Sequence, residues 1–104
     1  MQNNNNCKFK GYVFNDPTPT TLTNGTKVVL TLTVSRPKKD NEEKPLKDFV
    51  RATAFGKIAD KIMQNINKND YIHIETHFVS GSYEKDGKKV YTQDFIIDDI
   101  SKGV

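Results

Sequence analysis

Between Asp48 and Asn67, in the run DFVRATAFGKIADKIMQNIN, the spacing of the apolar residues changes, and the change falls on Gly56. A chain with this stretch has to accommodate a strand that runs straight into a helix. Before Gly56, Val50, Ala52 and Ala54 form one face and Phe49, Arg51, Thr53 and Phe55 the other, which is the period of a strand. After it, Ile58, Ala59, Ile62, Met63 and Ile66 fall on one helical stripe. The small apolar strand face suits a tight core. The opposite face departs from a solvated strand, because two phenylalanines flank an arginine. Rings interleaved with positive charge suit unpaired nucleic acid, offering flat faces to bases and cations to phosphates. The plainer alternative is that Phe49 and Phe55 pack under a loop or a neighbouring subunit.

The rest of the chain reads as strands and turns. Residues 1–6 form a polar arm expected to be flexible, since it has nothing to bury. Cys7 to Phe14 alternates, with Cys7, Phe9, Gly11 and Val13 against Lys8, Lys10, Tyr12 and Phe14, and Gly11 marks a bend. Asn15 to Thr23, with Pro17 and Pro19, reads as a loop, and Asn24-Gly25 as a tight hairpin turn. Lys27 to Ser35 is the clearest strand, with Val28, Leu30, Leu32 and Val34 inward. Arg36 to Lys47 is a charged connector. After the helix, Tyr71 to Val79 is a fourth strand with Tyr71, His73, Glu75 and His77 outward.

Ser80 to Lys89 is expected to protrude as a hairpin with its tip at Asp86-Gly87, pairing Lys85 with Lys88 and Tyr83 with Val90. Tyr91 to Ile100 is the fifth strand, with a bulge expected near Ile96, and residues 101–104 are expected to fray. Five strands with one helix after the third fit an all-β, five-stranded Greek-key barrel of the OB type over residues 7–100, although the pattern alone also permits another small barrel.

Composition narrows the function. The net charge of +3 leans toward polyanions, and the arginines are confined to Arg36 and Arg51. Lysine supplies charge without the planar fork that reads base edges, so contacts with nucleic acid should tolerate any sequence. The lone Cys7 excludes an internal disulfide framework and fits a reducing compartment. No apolar run has the length of a membrane span and no leader is read, so a cytoplasmic protein without a membrane partner is expected. No serine–histidine–acid spacing or phosphate-cradling glycine loop is present, and neither an enzyme nor a cofactor is expected. His73, Glu75 and His77 share a strand face, but a contact with a neighbouring subunit explains them better than a metal does.

With these motifs laid out, the sequence resembles the bacterial and phage single-stranded DNA-binding proteins. The matching elements are FKGYVFNDP, NGTKVVLTLTVS, DFVRATAFGKIADKI and SYEKDGKKVY, in the family's order and spacing. The resemblance implies an OB fold, sequence-independent binding of single-stranded DNA in replication, recombination and repair, and a homo-oligomer, a tetramer rather than a dimer. It places Phe49, Phe55 and Tyr83 where the family has its stacking aromatics. Arg51, Lys85 and Lys88 are the expected phosphate contacts beside them.

The family's further aromatic, after the second strand, has no counterpart between Arg36 and Lys44; Arg36 or Lys38 by charge, and Tyr12 or Phe14 by stacking, are the expected substitutes. The resemblance also places Tyr71, His73 and Glu75 on the face that joins dimers into tetramers. Contacts with replication or recombination proteins, in a bacterial or phage-infected cell, are a further expectation. The rivals are an RNA-binding or primosomal OB relative and a protein-interaction scaffold.

Overall fold

The computed structural model describes residues 4–37 and 46–103. Its elements are β1 (Cys7–Val13), β2 (Thr18–Leu22), β3 (Gly25–Ser35), β4 (Lys47–Phe55), α1 (Gly56–Asn65), β5 (Tyr71–Lys85) and β6 (Lys88–Lys102). The strands follow the order β1-β5-β6-β4-β3-β2, and β1 also pairs with β3. That second pairing, Tyr12 with Thr33 and Val13 with Leu32, closes five strands into a ring. The five-stranded barrel expected from the sequence is therefore present, with the helix between β4 and β5.

β2 is an addition. The segment read as a loop pairs with the first half of β3, Thr18 with Val29 through Leu22 with Gly25. All five of its residues are exposed, so no apolar alternation announces it. Pro19 is tolerated there because an edge strand needs no donor on its outer side. The turn sits one residue earlier than expected, on Thr23-Asn24, and Gly25 carries the positive φ of 135°.

The core is the inward alternation of these strands. Val28, Leu30 and Leu32 of β3, Ala52 and Ala54 of β4, and Ile72 and Ile74 of β5 are buried. At Gly56 the backbone takes φ 61°, a conformation side chains resist, and this allows strand to become helix without an intervening loop. Ala59, Ile62 and Ile66 of the helical stripe are buried against the barrel. Met63, assigned to the same stripe, is exposed, because the buried arc of this short helix is narrower than its apolar pattern.

The β5–β6 pairing has its bulge at Asp98: Glu75 pairs with Asp99 and Thr76 with Ile97. This lies two residues beyond the expected Ile96. The extra residue lets Ile97 and Ile100, three apart, both face the core. Residues 1–3 and 104 lie outside the described residues, but the described residues next to them are tied to the sheet. Asn5 brackets the backbone of Phe78, its Oδ1 accepting from Phe78 N–H at 2.8 Å and its amide donating to the Phe78 carbonyl. Ser101 and Lys102 pair with His73 and Ile72 as the end of β6, and Gly103 N–H donates to the Tyr71 carbonyl at 2.8 Å, so these residues are held rather than frayed.

Candidate nucleic-acid interface

β4 places Phe49, Arg51 and Phe55 on its outer side by alternation, and the register with β3 sets their neighbours. Phe49 lies opposite Thr33, Arg51 opposite Thr31 and Phe55 opposite Lys27. Phe49 is 62% and Phe55 43% exposed, so neither ring is packed away within the chain. Six residues of extended strand separate them, about 20 Å, too far apart for one planar group to lie against both rings. Thr53, between them, behaves otherwise: it is buried, and its hydroxyl donates to Asp94 at 2.8 Å. The outer face of β4 is thus two separate exposed stretches rather than one continuous strip.

The same face extends onto the arm. Thr53 pairs with Ile96 of β6 and Ile96 with His77 of β5, so the outward set continues through Val79 and Gly81 to Tyr83 and Lys85. Tyr83 is 52% exposed and opposite Val90; Lys85 is opposite Lys88. The arm turns at Asp86-Gly87 with φ values of 52° and 77°, the left-handed pair of a two-residue hairpin turn. Phe49, Arg51, Phe55, Tyr83, Lys85 and Lys88 therefore share one outward face of the sheet. Among the described residues, Arg51, Lys85 and Lys88 are in no ion pair.

Arg36 is placed differently. Its Nε and Nη2 donate to the two carboxylate oxygens of Asp48 at 2.8 and 2.6 Å. These bonds hold the Asp48 carboxyl below the usual carboxylate range and raise the Arg36 guanidinium further. A guanidinium whose Nε–Nη2 edge is already held by a carboxylate is less available to a phosphate than Arg51 is. Lys38 lies outside the described residues. Tyr12 is exposed, but its ring contacts Tyr71, centroids 5.0 Å apart, and Tyr71 in turn contacts His73 at 5.5 Å. Tyr12 thus joins the base-stacking candidates to the subunit-contact candidates. Glu75, the third of that second group, pairs with Lys8 at 3.4 Å. His77, on the same strand face, is bonded to the Asp98 carboxylate at 2.9 Å, and no described group of three His, Cys, Asp or Glu side chains could hold a metal.

Two further aromatics belong to the exposed set. Phe14 touches Phe49, ring centroids 5.2 Å apart and planes at 82°. Tyr91, at 74% exposure, lies on the arm face opposite Tyr83 with Lys89 Nζ 5.8 Å from its ring centroid. The signal for Tyr91 was the pairing itself: Tyr83 opposite Val90 puts the next residue on the other side. Among the described residues no helix is long and apolar enough to cross a membrane.

Residues 5–102 match the Single-strand binding protein family. A single-stranded DNA-binding protein of Clostridium perfringens is 36% identical over 69 residues, 65% of this chain and 43% of that protein's length. The matched part thus spans less than half of that relative. Among solved structures, a small single-stranded DNA-binding protein from Streptomyces coelicolor superposes with a TM-score of 0.76 at 17% identity, covering 99% of this chain and 97% of its own. A Plasmodium falciparum SSB in complex with ssDNA gives 0.81 at 16% identity, covering 100% and 98%. At such identities the two structures speak for the fold.

Proposed function

The chain belongs to the single-strand binding protein family, and from that premise we propose that it binds single-stranded DNA without regard to sequence. Bases stack on Phe49, Phe55 and Tyr83, while Arg51, Lys85 and Lys88 neutralise phosphates. The observation that carries this reading is that three rings, each at least 43% exposed, share one register-defined face with cations free of ion pairs among the described residues. The exposed part of each ring forgoes a share of the about 1.5–3 kcal/mol that full burial gives, and a stacked base restores some of it. Stacking contributes about 1–3 kcal/mol per base, and the cations add a salt-sensitive component.

The protein coats exposed strands in replication, recombination and repair, performs no chemistry itself, and works in the cytoplasm of a bacterial or phage-infected cell beside replication or recombination proteins. It acts as a homo-oligomer, a tetramer rather than a dimer, with Tyr71, His73 and Glu75 at a subunit contact. The Tyr12–Tyr71–His73 ring series supports that contact, and so does the outer side of β1, where among the described residues Cys7–Lys10 pair with β5 but not with β3. The test is a mobility-shift competition between a labelled single strand and unlabelled single-stranded or duplex DNA of one sequence. Competition by the single strand and its near absence with the duplex are expected; equal competition overturns the proposal.

A further inference from the structure

Beside the stacking face lies a groove between β1, β3 and β4, closed at one end by the turn that precedes β5. Tyr12, Phe14, Thr33, Lys47, Phe49 and Lys68 line it. We propose that this groove is a nucleotide subsite, in which the Phe14–Phe49 ring pair receives one base and Lys47 and Lys68 take the flanking phosphates. The inference rests on the reading of the chain as a single-stranded DNA binder.

Phe14 and Phe49 meet edge to face at 5.2 Å, yet each is more than half exposed. Each ring limits the movement of the other, so the free face of Phe49 is held ready rather than swinging in solvent. Phe14 is also firmly placed. Its N–H donates to the Thr31 carbonyl at 2.8 Å, and the next side chain, Asn15, accepts from Thr31 N–H at 3.0 Å. On the other side Val13 N–H donates to the Asp70 carbonyl at 2.9 Å and Asn69 N–H to the Val13 carbonyl at 2.8 Å. A surface phenylalanine on a segment laced to two neighbours is a fixed platform.

In the floor, Tyr12, Thr33 and Phe49 form one row across three strands, and the small threonine between two rings leaves a trough. Lys47 precedes Phe49 on the same outward face, and Lys68 comes from the turn after α1; neither is in an ion pair among the described residues. Asp16 also borders the groove, but its carboxylate accepts from the Lys68 backbone N–H at 3.3 Å and from no described lysine side chain.

The experiment titrates the full chain with dye-labelled oligo(dT) over a series of salt concentrations, with thermal melting as the check on folding. Phe14→Leu keeps apolar bulk but removes the ring, and affinity should fall on the order of tenfold. Phe14→Tyr keeps the ring and should bind as wild type. Lys68→Gln should lower the slope of log affinity against log salt by about 0.7, the share of one phosphate contact on a single strand. Phe55→Ala, at the far end of β4, tests the stacking face independently of the groove. Weakened binding in Phe55→Ala beside wild-type affinity in Phe14→Leu and an unchanged slope in Lys68→Gln overturns the subsite and leaves the wider reading standing. A wild-type chain that does not bind oligo(dT) overturns both.

Discussion

Arg36 and Asp48 face each other at the connector end of the β3–β4 pair, joined by two charge-assisted hydrogen bonds of 2.8 and 2.6 Å. The pair flanks the Ser35–Lys47 rung at the start of β4, and Asp48 immediately precedes Phe49. Its consequence for DNA binding is that the two arginines of this chain are not equivalent. Arg51→Gln should weaken binding to oligo(dT) and flatten its salt dependence, whereas Arg36→Gln should change either much less. Titrations of both variants across salt check this, and equal losses would count against it.

The same pair gives a pH dependence of stability. The hydrogen bonds from Arg36 hold the Asp48 carboxyl below its ordinary value. A carboxyl with a depressed folded pKa contributes stability above the usual carboxylate range and loses it as pH falls through the folded value. The melting temperature of Asp48→Asn should therefore lie below that of wild type at neutral pH, and the gap should close below about pH 4. The gap is expected to be small, because both side chains are at the surface. A gap that is constant from pH 7 to pH 2.5 would contradict the assignment.

Gly11 tests the packing of the barrel seam. A Cβ there would sit 2.3 Å from the Thr33 carbonyl oxygen, a backbone atom that cannot swing aside. Gly11→Ala should destabilise the fold by about 1–3 kcal/mol in chemical denaturation. Gly81→Ala on the arm, where the nearest atom is the Thr92 hydroxyl at 3.2 Å, should cost far less. Similar denaturation midpoints for the two variants would show that the β1–β3 closure is looser than described.

The fold is legible in the sequence where periodicity and burial coincide. Val28, Leu30 and Leu32 alternate and are buried, and the Asp86-Gly87 turn fixed the arm register down to Lys85 opposite Lys88. It is not legible where structure is held by backbone pairing without burial. β2 has no buried residue, and Pro19 within it and Pro17 just before it argue for a loop, so nothing in Thr18–Leu22 pointed to pairing. The bulge could not be located because Ile96, Ile97 and Ile100 offer apolar residues in both registers, and it is the extra Asp98 that decides. Phe14 was visible as an outward ring, but Lys68 is 54 residues away in sequence, and the turn that brings the two to one groove has no periodic pattern. Thr53 looked like an ordinary outward threonine because its partner Asp94 lies on a strand that pairs in parallel, a connection local sequence does not encode.

The subunit contact is open to a direct trial. Tyr71→Glu places a charge among the Tyr12, Tyr71 and His73 rings. If that face joins subunits, sedimentation should give a smaller assembly for Tyr71→Glu than for wild type at equal concentration. An unchanged mass would move the contact elsewhere.

Because about 20 Å of strand separates Phe49 from Phe55, their contributions should add rather than couple. The most direct measurement is therefore a titration of oligo(dT) with wild type and with the Phe49→Ala/Phe55→Ala/Tyr83→Ala triple variant across salt. At about 1–3 kcal/mol per ring, the triple variant should bind at least about 100-fold more weakly, yet keep the wild-type salt slope because every cation is still present. A folded triple variant that binds within about twofold of wild type would contradict stacking as the basis of binding.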